Sequence, residues 1–417
     1  MKLYNTFSKE IEPFHPREDE VSFYVCGITP YDTTHLGHAF TYACADILIR
    51  YLESKNFSIR YVQNVTDIDD DILRKAKEVG QDWLTVGNSW TLHYIEDMQA
   101  LNVRAPDYFP RATDAIPEII TWVQKLLESG VAYISSGSVY YDIEAWTPFG
   151  LLSSIPREKM LPIANERGNH PDDPAKRHPL DFVLWQAKAP GEPAWESPWG
   201  EGRPGWHIEC SSLSTKYLGD TIDIHSGGAD LCFPHHECEI AQVEPVTGEH
   251  PFVRYWMHVA MVYHDGEKMS KSLGNLVWVR DLLKIYTADA VRLYLGRHHY
   301  REEWAFNEAE LQIASNEAVL IREALIADGG SGNIFNVDSL YKRFLGAMDN
   351  DLDTPAAAAA MVELAREILK SNQKDLNISA AQGRLQDMSR IFGLRGGRGP
   401  EARVLEAWGK HAKRFGG

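Results

Sequence analysis

Nowhere in the 417 residues is there an uncharged apolar run of about eighteen, the length that spans a bilayer. The N-terminus, MKLYNTFSKEIEPF, lacks the apolar core of a secretory signal. No membrane attachment is expected, and the cytoplasm is the expected compartment. Cysteine is scarce as well: five, an odd number spread over a long chain, make no disulfide framework. In a reducing compartment such cysteines are metal ligands, nucleophiles or small core residues. Positive charge is not in excess either. The formal net charge is −17, and from Leu311 onward 14 Lys and Arg face 13 Asp and Glu, so the excess acid lies in the first 310 residues. That disfavours a general nucleic-acid coat, although net charge speaks to association rather than fold and leaves room for a local basic groove. Repeats and low-complexity tracts are missing beyond the alanine run 356–360, which is good helix sequence.

What is present is the balance of a soluble chain with a substantial core, 44% hydrophobic and 24% charged, at a length suited to two or three domains. VSFYVCG (21–27) is a β-branched and aromatic run ending in Gly, and HLGHAFTYACADILIRYLESKNF (35–57) has helical periodicity. IRYVQNVTD (59–67) reads as a second strand, so the first seventy residues predict a βαβ unit with parallel strands. Its ligand site belongs at the carboxyl ends of the strands, beside Cys26 and Thr66. Apolar residues from Asp114 to Gly130 mark an amphipathic packing helix. The stretch 148–204 holds 10 of the 21 prolines, and with short pieces such as LDFVLW (180–185) it reads as an inserted, loop-rich subdomain. Strands resume at TIDIHSGG (221–228) and YWMHVAMVY (255–263), flanking a helix that begins near Pro234. Beyond Glu310 only helices are predicted, including LQIASNEAVLIREALIA, TPAAAAAMVELAREILK and AAQGRLQDMSRIFGL.

Two short segments carry candidate chemistry. HLGH (35–38) lies where a strand turns into a helix, whose N-terminus offers N–H groups and a positive dipole end to phosphates. Gly37 would admit a nucleotide close to the backbone, and His35 and His38 could donate to phosphate oxygens. Alone, so short a match is as readily a helix cap. KMSKS (268–272) places Lys268 and Lys271 where they could clamp an α-phosphate and departing pyrophosphate. Alone, it reads more simply as a solvated basic turn. The two together, in this order on a split α/β fold, leave little room for the bland readings.

At this point the sequence resembles the class I aminoacyl-tRNA synthetases, and within them the cysteine-activating branch. The resemblance rests on YVCG (24–27), HLGH, NVTDIDD (64–70), GRPGWHIECSS (202–212), GGADLCFPHHECE (227–239) and KMSKSLGN (268–275). It implies a split Rossmann-like parallel sheet with an inserted subdomain and a C-terminal helical bundle. The implied division is a Rossmann half at 1–112, insertion 113–200, second half 201–265, KMSKS loop and connection 266–310, and bundle 311–417. It also implies one zinc ion in the amino-acid pocket, held by Cys26, Cys210, His235 and Glu239. Those types suit zinc, with His235 and Glu239 i, i+4 on one helix face. A substrate thiolate would complete the coordination where a serine hydroxyl would not. By the same resemblance Gly27, Thr66 and Trp206 line the cysteine pocket, and Gly227, Gly228 and Asp230 receive the nucleoside of ATP with Gly37, His38 and Lys271. Mg2+ is expected to accompany the ATP. Cys44 and Cys232 read as small packed hydrophobes, Cys238 matches no ligand position, and His236 reads as a support for the ligands, with an alternative ligand as its second reading.

The implied reaction joins cysteine to AMP, releases pyrophosphate and transfers the cysteinyl group to an acceptor. Only 145 residues follow Ser272, so the anticodon-reading module of full-length cysteinyl-tRNA synthetases is expected to be missing. CGITPYDTTHLGHAFTY (26–42) and ERGNHPDDPAKRHPLD (166–181) are similar instead to the mycothiol-pathway ligase. The expected acceptor is therefore the amine of glucosaminyl-inositol, with tRNA(Cys) as the alternative and a monomer as the expected state. A degenerate binding module and a plain nucleotidyltransferase fit the complete set of motifs less well.

Overall fold

The computed structural model describes residues 1–32, 34–269, 274–335 and 337–416, and of Lys268 the backbone alone. Four parallel strands form the central sheet: β1 (Glu20–Ile28), β2 (Ser58–Val65), β3 (Ile222–Gly228) and β4 (Val253–Val259). Their spatial order is β4-β3-β1-β2. The chain steps outward from β1 to β2, then returns to the other flank of β1 with β3. That reversal opens a crevice at the carboxyl ends of β1 and β3, where ligands of open parallel sheets bind. The expected α/β class, with its split sheet and helical C-terminal part, is the architecture found.

The pleat decides what each strand residue faces. Phe23 and Val25 of β1 pack with α1 (Leu36–Ser54) and the C-terminal helices. Tyr24 and Cys26 point the opposite way, into a second core with α2 (Trp206–Leu218) and α3 (Glu237–Thr247). The register carries the second face across the sheet, since Tyr24 pairs with His225 and His225 with Trp256. Strands buried on both faces read as continuous apolar runs, which is why the strand signals were strong.

Between β2 and α2 the insertion forms its own antiparallel sheet from Ala132–Ser135, Ser138–Tyr141, Phe182–Ala187 and Gly202–Pro204. The predicted helix after Asp114 spans Ile116–Glu128. Glu237, at the start of α3, accepts from the backbone N–H groups of Gly150 at 2.8 Å and Ser153 at 2.9 Å. A buried carboxylate thus pins the insertion to the helix that carries Glu239.

The predicted strand at 255–263 is broken. Ala260 donates its N–H to the carbonyl of Tyr300 at 2.7 Å, so the chain leaves the central sheet there. Val262–His264 instead joins a small sheet between Glu267–Lys268 and Trp304–Ala305. Asp265 and Gly266, both at positive φ, make the two-residue turn that aims the chain into the KMSKS segment.

The C-terminal helices are α4 (Glu308–Ile326), α5 (Asp338–Asp349), α6 (Thr354–Asn372), α7 (Ser379–Ile391) and α8 (Ala402–Ala412). They dock on α1 through a buried ionic cluster. Asp46 lies 2.9 Å from Arg50 and 2.5 Å from Arg292, and Arg50 reaches Glu401 at 2.8 Å. Among the described residues no helix is long and apolar enough to cross a membrane.

Candidate active site and metal centre

Cys26 ends β1, Cys210 lies one turn into α2, and His235 and Glu239 bracket the start of α3. The helix proper begins at Glu237, later than predicted, because Phe233 is extended and the turn Cys232–His236 precedes it. His235 still meets Glu239, with Nε2 3.2 Å from Oε1. The two sulfurs stand 3.9 Å apart, and Cys26 Sγ lies 3.8 Å from Glu239 Oε1. All four ligand atoms fall within 4.8 Å of one another and all four residues are buried, so the group could hold a metal ion.

Burial sets the protonation of this cluster when no cation is present. Desolvation, then the neighbouring Cys210, raises the Cys26 thiol, and desolvation raises Cys210 and the Glu239 carboxyl. The same burial pushes His235 well below the usual imidazole range. Burial thus shifts the thiols and the carboxyl toward their protonated forms, which a divalent cation would oppose, while the imidazole is already the neutral, ligating form. The donor chemistry fits a thiophilic divalent ion.

Several residues around the cluster escaped the sequence reading. His225 Nε2 is 2.9 Å from Glu239 Oε2, both wholly buried, and so holds that carboxylate in place. His236 Nε2 stands 3.2 Å from Cys26 Sγ, and its Nδ1 is 2.8 Å from His258, which in turn meets the Thr6 hydroxyl at 2.8 Å. Desolvation pushes His258 and His207 down to about 3, so these rings are neutral at neutral pH. Cys26, His225, His236 and Glu239 form a second compact donor group that shares two members with the first. His236, by sequence a support or an alternative ligand, lies within ligating reach. The strand sequences IDIHSGG and VRYWMHV carry other polar residues beside His225 and His258, so nothing local marked these two rings as buried partners of the centre.

The residues expected to line the cysteine pocket fall nearby. Trp206 opens α2 and stacks on His235 with ring centroids 4.4 Å apart. Thr66 follows β2, and Asn64 links it to the centre by bonding Thr66 Oγ1, the Gly27 N–H and, at 3.6 Å, Cys210 Sγ. Gly27 has a local reason to be glycine, since a Cβ there would sit 1.5 Å from the Asn64 carbonyl oxygen. At Gly227 a Cβ would lie 3.1 Å from the His236 ring, so this glycine lets the imidazole rest on the sheet. Gly228 and Asp230 follow at the carboxyl end of β3. Cys44, buried, packs in the first core. Cys238 packs in the second, and Cys232 is half-buried beside it.

At the HLGH turn one expectation needs correction. The first two N–H groups of α1 are committed within the protein: Leu36 donates to Val277 at 2.8 Å and Gly37 to His35 Nδ1 at 3.1 Å. The turn spends them on tertiary and capping bonds. Because His35 Nδ1 accepts, its neutral ring carries the proton on Nε2. His38 stacks on it at 3.8 Å, so two imidazoles form one platform. Val279 donates back to Thr34 at 3.1 Å, and the HLGH turn is thereby stitched to the segment just beyond KMSKS. Lys271 lies outside the described residues, as does the Lys268 side chain; the Lys268 backbone is in the small sheet, paired with Tyr263.

Comparison with known proteins covers almost the whole chain. Residues 12–316 match the family of class I (C) tRNA synthetase catalytic domains, and residues 343–395 match the DALR domain. A cysteine–tRNA ligase of Dehalococcoides mccartyi is 44% identical over 399 residues, spanning 94% of this chain and 86% of that protein. One of Thermococcus onnurineus is 42% identical over 415 residues with the same coverage. Among solved structures, the methionyl-tRNA synthetase of Mycobacterium tuberculosis with methionyl-adenylate superposes at a TM-score of 0.65 and 16% identity. That pair covers 95% of this chain and 93% of the other, and speaks to the fold alone. None of these supports the mycothiol branch expected from residues 26–42 and 166–181. That expectation stood on two short stretches and on the length of chain after Ser272, whereas the likeness to tRNA ligases runs through both matched domains.

Proposed function

The chain belongs to the cysteine branch of the class I tRNA synthetases, ATP-dependent ligases, and on that footing we propose that it activates L-cysteine and charges tRNA(Cys). The observation that carries the amino-acid choice is the buried cluster of two sulfurs, an imidazole and a carboxylate at the carboxyl end of β1. A zinc ion held by Cys26, Cys210, His235 and Glu239 would supply a thiophilic Lewis acid that favours a thiol over a hydroxyl. Trp206 and Thr66 bound the pocket for the rest of the amino acid.

The reaction joins the cysteine carboxylate to the α-phosphorus of ATP as the bond to pyrophosphate breaks. The chain's task is to align reactants and offset charge that develops on phosphate oxygens. His35 and His38 present the donors for this, His35 through Nε2–H. Lys268 and Lys271 are the cations assigned to the same charge, and Gly228 and Asp230 to the nucleoside. Mg2+ enters with ATP. The adenylate then passes its acyl group to a hydroxyl of tRNA as the bond to AMP breaks and AMP leaves; tRNA is the acceptor in the names of relatives that match along 94% of this chain.

Cysteine-dependent exchange of labelled pyrophosphate into ATP tests the first step, and adding acceptors to the preformed adenylate tests the second. Exchange with cysteine but not serine, followed by charging of tRNA(Cys), is the expected result. Transfer to glucosaminyl-inositol with none to tRNA would overturn the acceptor, and absence of exchange would overturn the reaction.

A further inference from the structure

Glu209 is wholly buried on α2, one residue before Cys210, yet neither carboxylate oxygen has a hydrogen-bond partner of good geometry among the described residues. A buried carboxyl without a partner is costly, and native proteins rarely leave one unanswered. Of the protein's own groups only the Thr66 hydroxyl approaches it, and a single hydroxyl leaves most of the carboxyl's acceptor capacity open. Its charged neighbours are Asp67, Asp69 and Arg203, with the Thr66 hydroxyl beside it. Arg203 is committed elsewhere, to Glu192 at 3.1 Å and to Asp70. Asp67 is held by Thr113 and Asp69 caps the helix Asp70–Val79, so neither supplies a proton donor.

The position of the group narrows what could satisfy it. Trp206, Glu209 and Cys210 lie one turn apart on α2, so they share a face, and Thr66 closes the other side from β2. This is the wall of the amino-acid pocket, adjoining the ion-binding cluster. Of the reactants, the sulfur belongs to the cluster and the carboxylate to the α-phosphate, and every phosphate is repelled by three acids. The α-ammonium is the cationic group of the amino acid itself, has three protons to donate, and is three bonds from the sulfur, whereas Mg2+ travels with the phosphates.

We propose that Glu209 receives the α-ammonium group of the substrate, with the Thr66 hydroxyl beside it, while the neighbouring cluster holds the sulfur. The inference rests on the cysteine-activating reading above. It makes the pocket read two ends of cysteine at once, so that a thiol acid without an amine is refused although its sulfur is right.

The test compares L-cysteine with 3-mercaptopropionate, which keeps thiol and carboxylate but lacks the amine, in wild type, Glu209→Gln and Glu209→Asp. Calorimetric binding is measured without ATP, pyrophosphate exchange with it, and zinc content and thermal midpoint are measured alongside. Wild type is expected to bind cysteine at least about 100-fold more tightly than the analogue. Glu209→Gln should bring the two within a few-fold, by weakening cysteine alone, with zinc content and the KM for ATP unchanged; Glu209→Asp should fall between. Unchanged cysteine binding in Glu209→Gln, or equal weakening of both ligands, would overturn the assignment. Loss of zinc or of fold in both variants would overturn it as well, by giving Glu209 a structural role. Absence of exchange in wild type bears on the reaction itself, and the binding comparison still decides Glu209.

Discussion

The backbone N–H of Leu36 donates to the carbonyl of Val277 across 2.8 Å, and this bond joins the HLGH turn to the chain that leaves the KMSKS segment. On the same stretch His264 meets the carbonyl of Asn275 at 2.9 Å, and the Asn275 amide returns to the carbonyl of His264 at 3.2 Å. The ends of the KMSKS segment are therefore tied to each other and to the histidine platform.

Asn275→Ala removes one of those ties, at a cost of about 0.5–1.5 kcal/mol. It should raise the KM for ATP in pyrophosphate exchange several-fold and leave the KM for cysteine unchanged. Equal effects on both would break the proposed link.

The stacked pair His35 and His38 is the assigned source of donors to phosphate. Replacing either with Ala should lower the exchange rate by roughly 100-fold to 1000-fold, the loss seen when a preorganised donor is removed. Zinc content, measured on the same samples, should stay at the wild-type value because neither ring belongs to a donor group of the centre.

His225 orients Glu239 across 2.9 Å without belonging to the first donor group. Partners of this kind contribute about 10-fold to 100-fold in metal affinity. Competition with a chromophoric chelator should show His225→Ala weakened by that amount, and Cys26→Ala, common to both donor groups, weakened more.

Acid should loosen the docking of the helical part. Burial opposes ionisation of Glu401, but the Arg50 guanidinium prevails and holds its carboxyl down to about 2, against an ordinary value of 4.5. A depressed carboxyl adds stability above its unfolded value and loses it as pH falls through the folded one. The thermal midpoint should drop between about pH 4.5 and pH 2, and Glu401→Gln should start lower and show a shallower drop over that window.

The sequence by itself determined most of the succession of strands and helices, because these are written in short-range patterns, whereas the residues of the centre were named only through the family resemblance. β1 ends at Ile28 and α1 starts at Leu36 much as alternation and helical period require. Tertiary structure alone decided which distant residues meet. Cys26 and Cys210 stand 184 positions apart, and no local period encodes the strand order and pleat that turn both sulfurs to one face. The same holds for His225 and His258, ordinary strand residues until register sets them beside α3. It holds for the Leu36 N–H at the start of α1, which Val277 claims, and for the strand that breaks at Ala260 because Tyr300 claims its amide. Local sequence reports how a backbone bends, whereas a site is made by surfaces brought together across the sheet, and those depend on the whole fold.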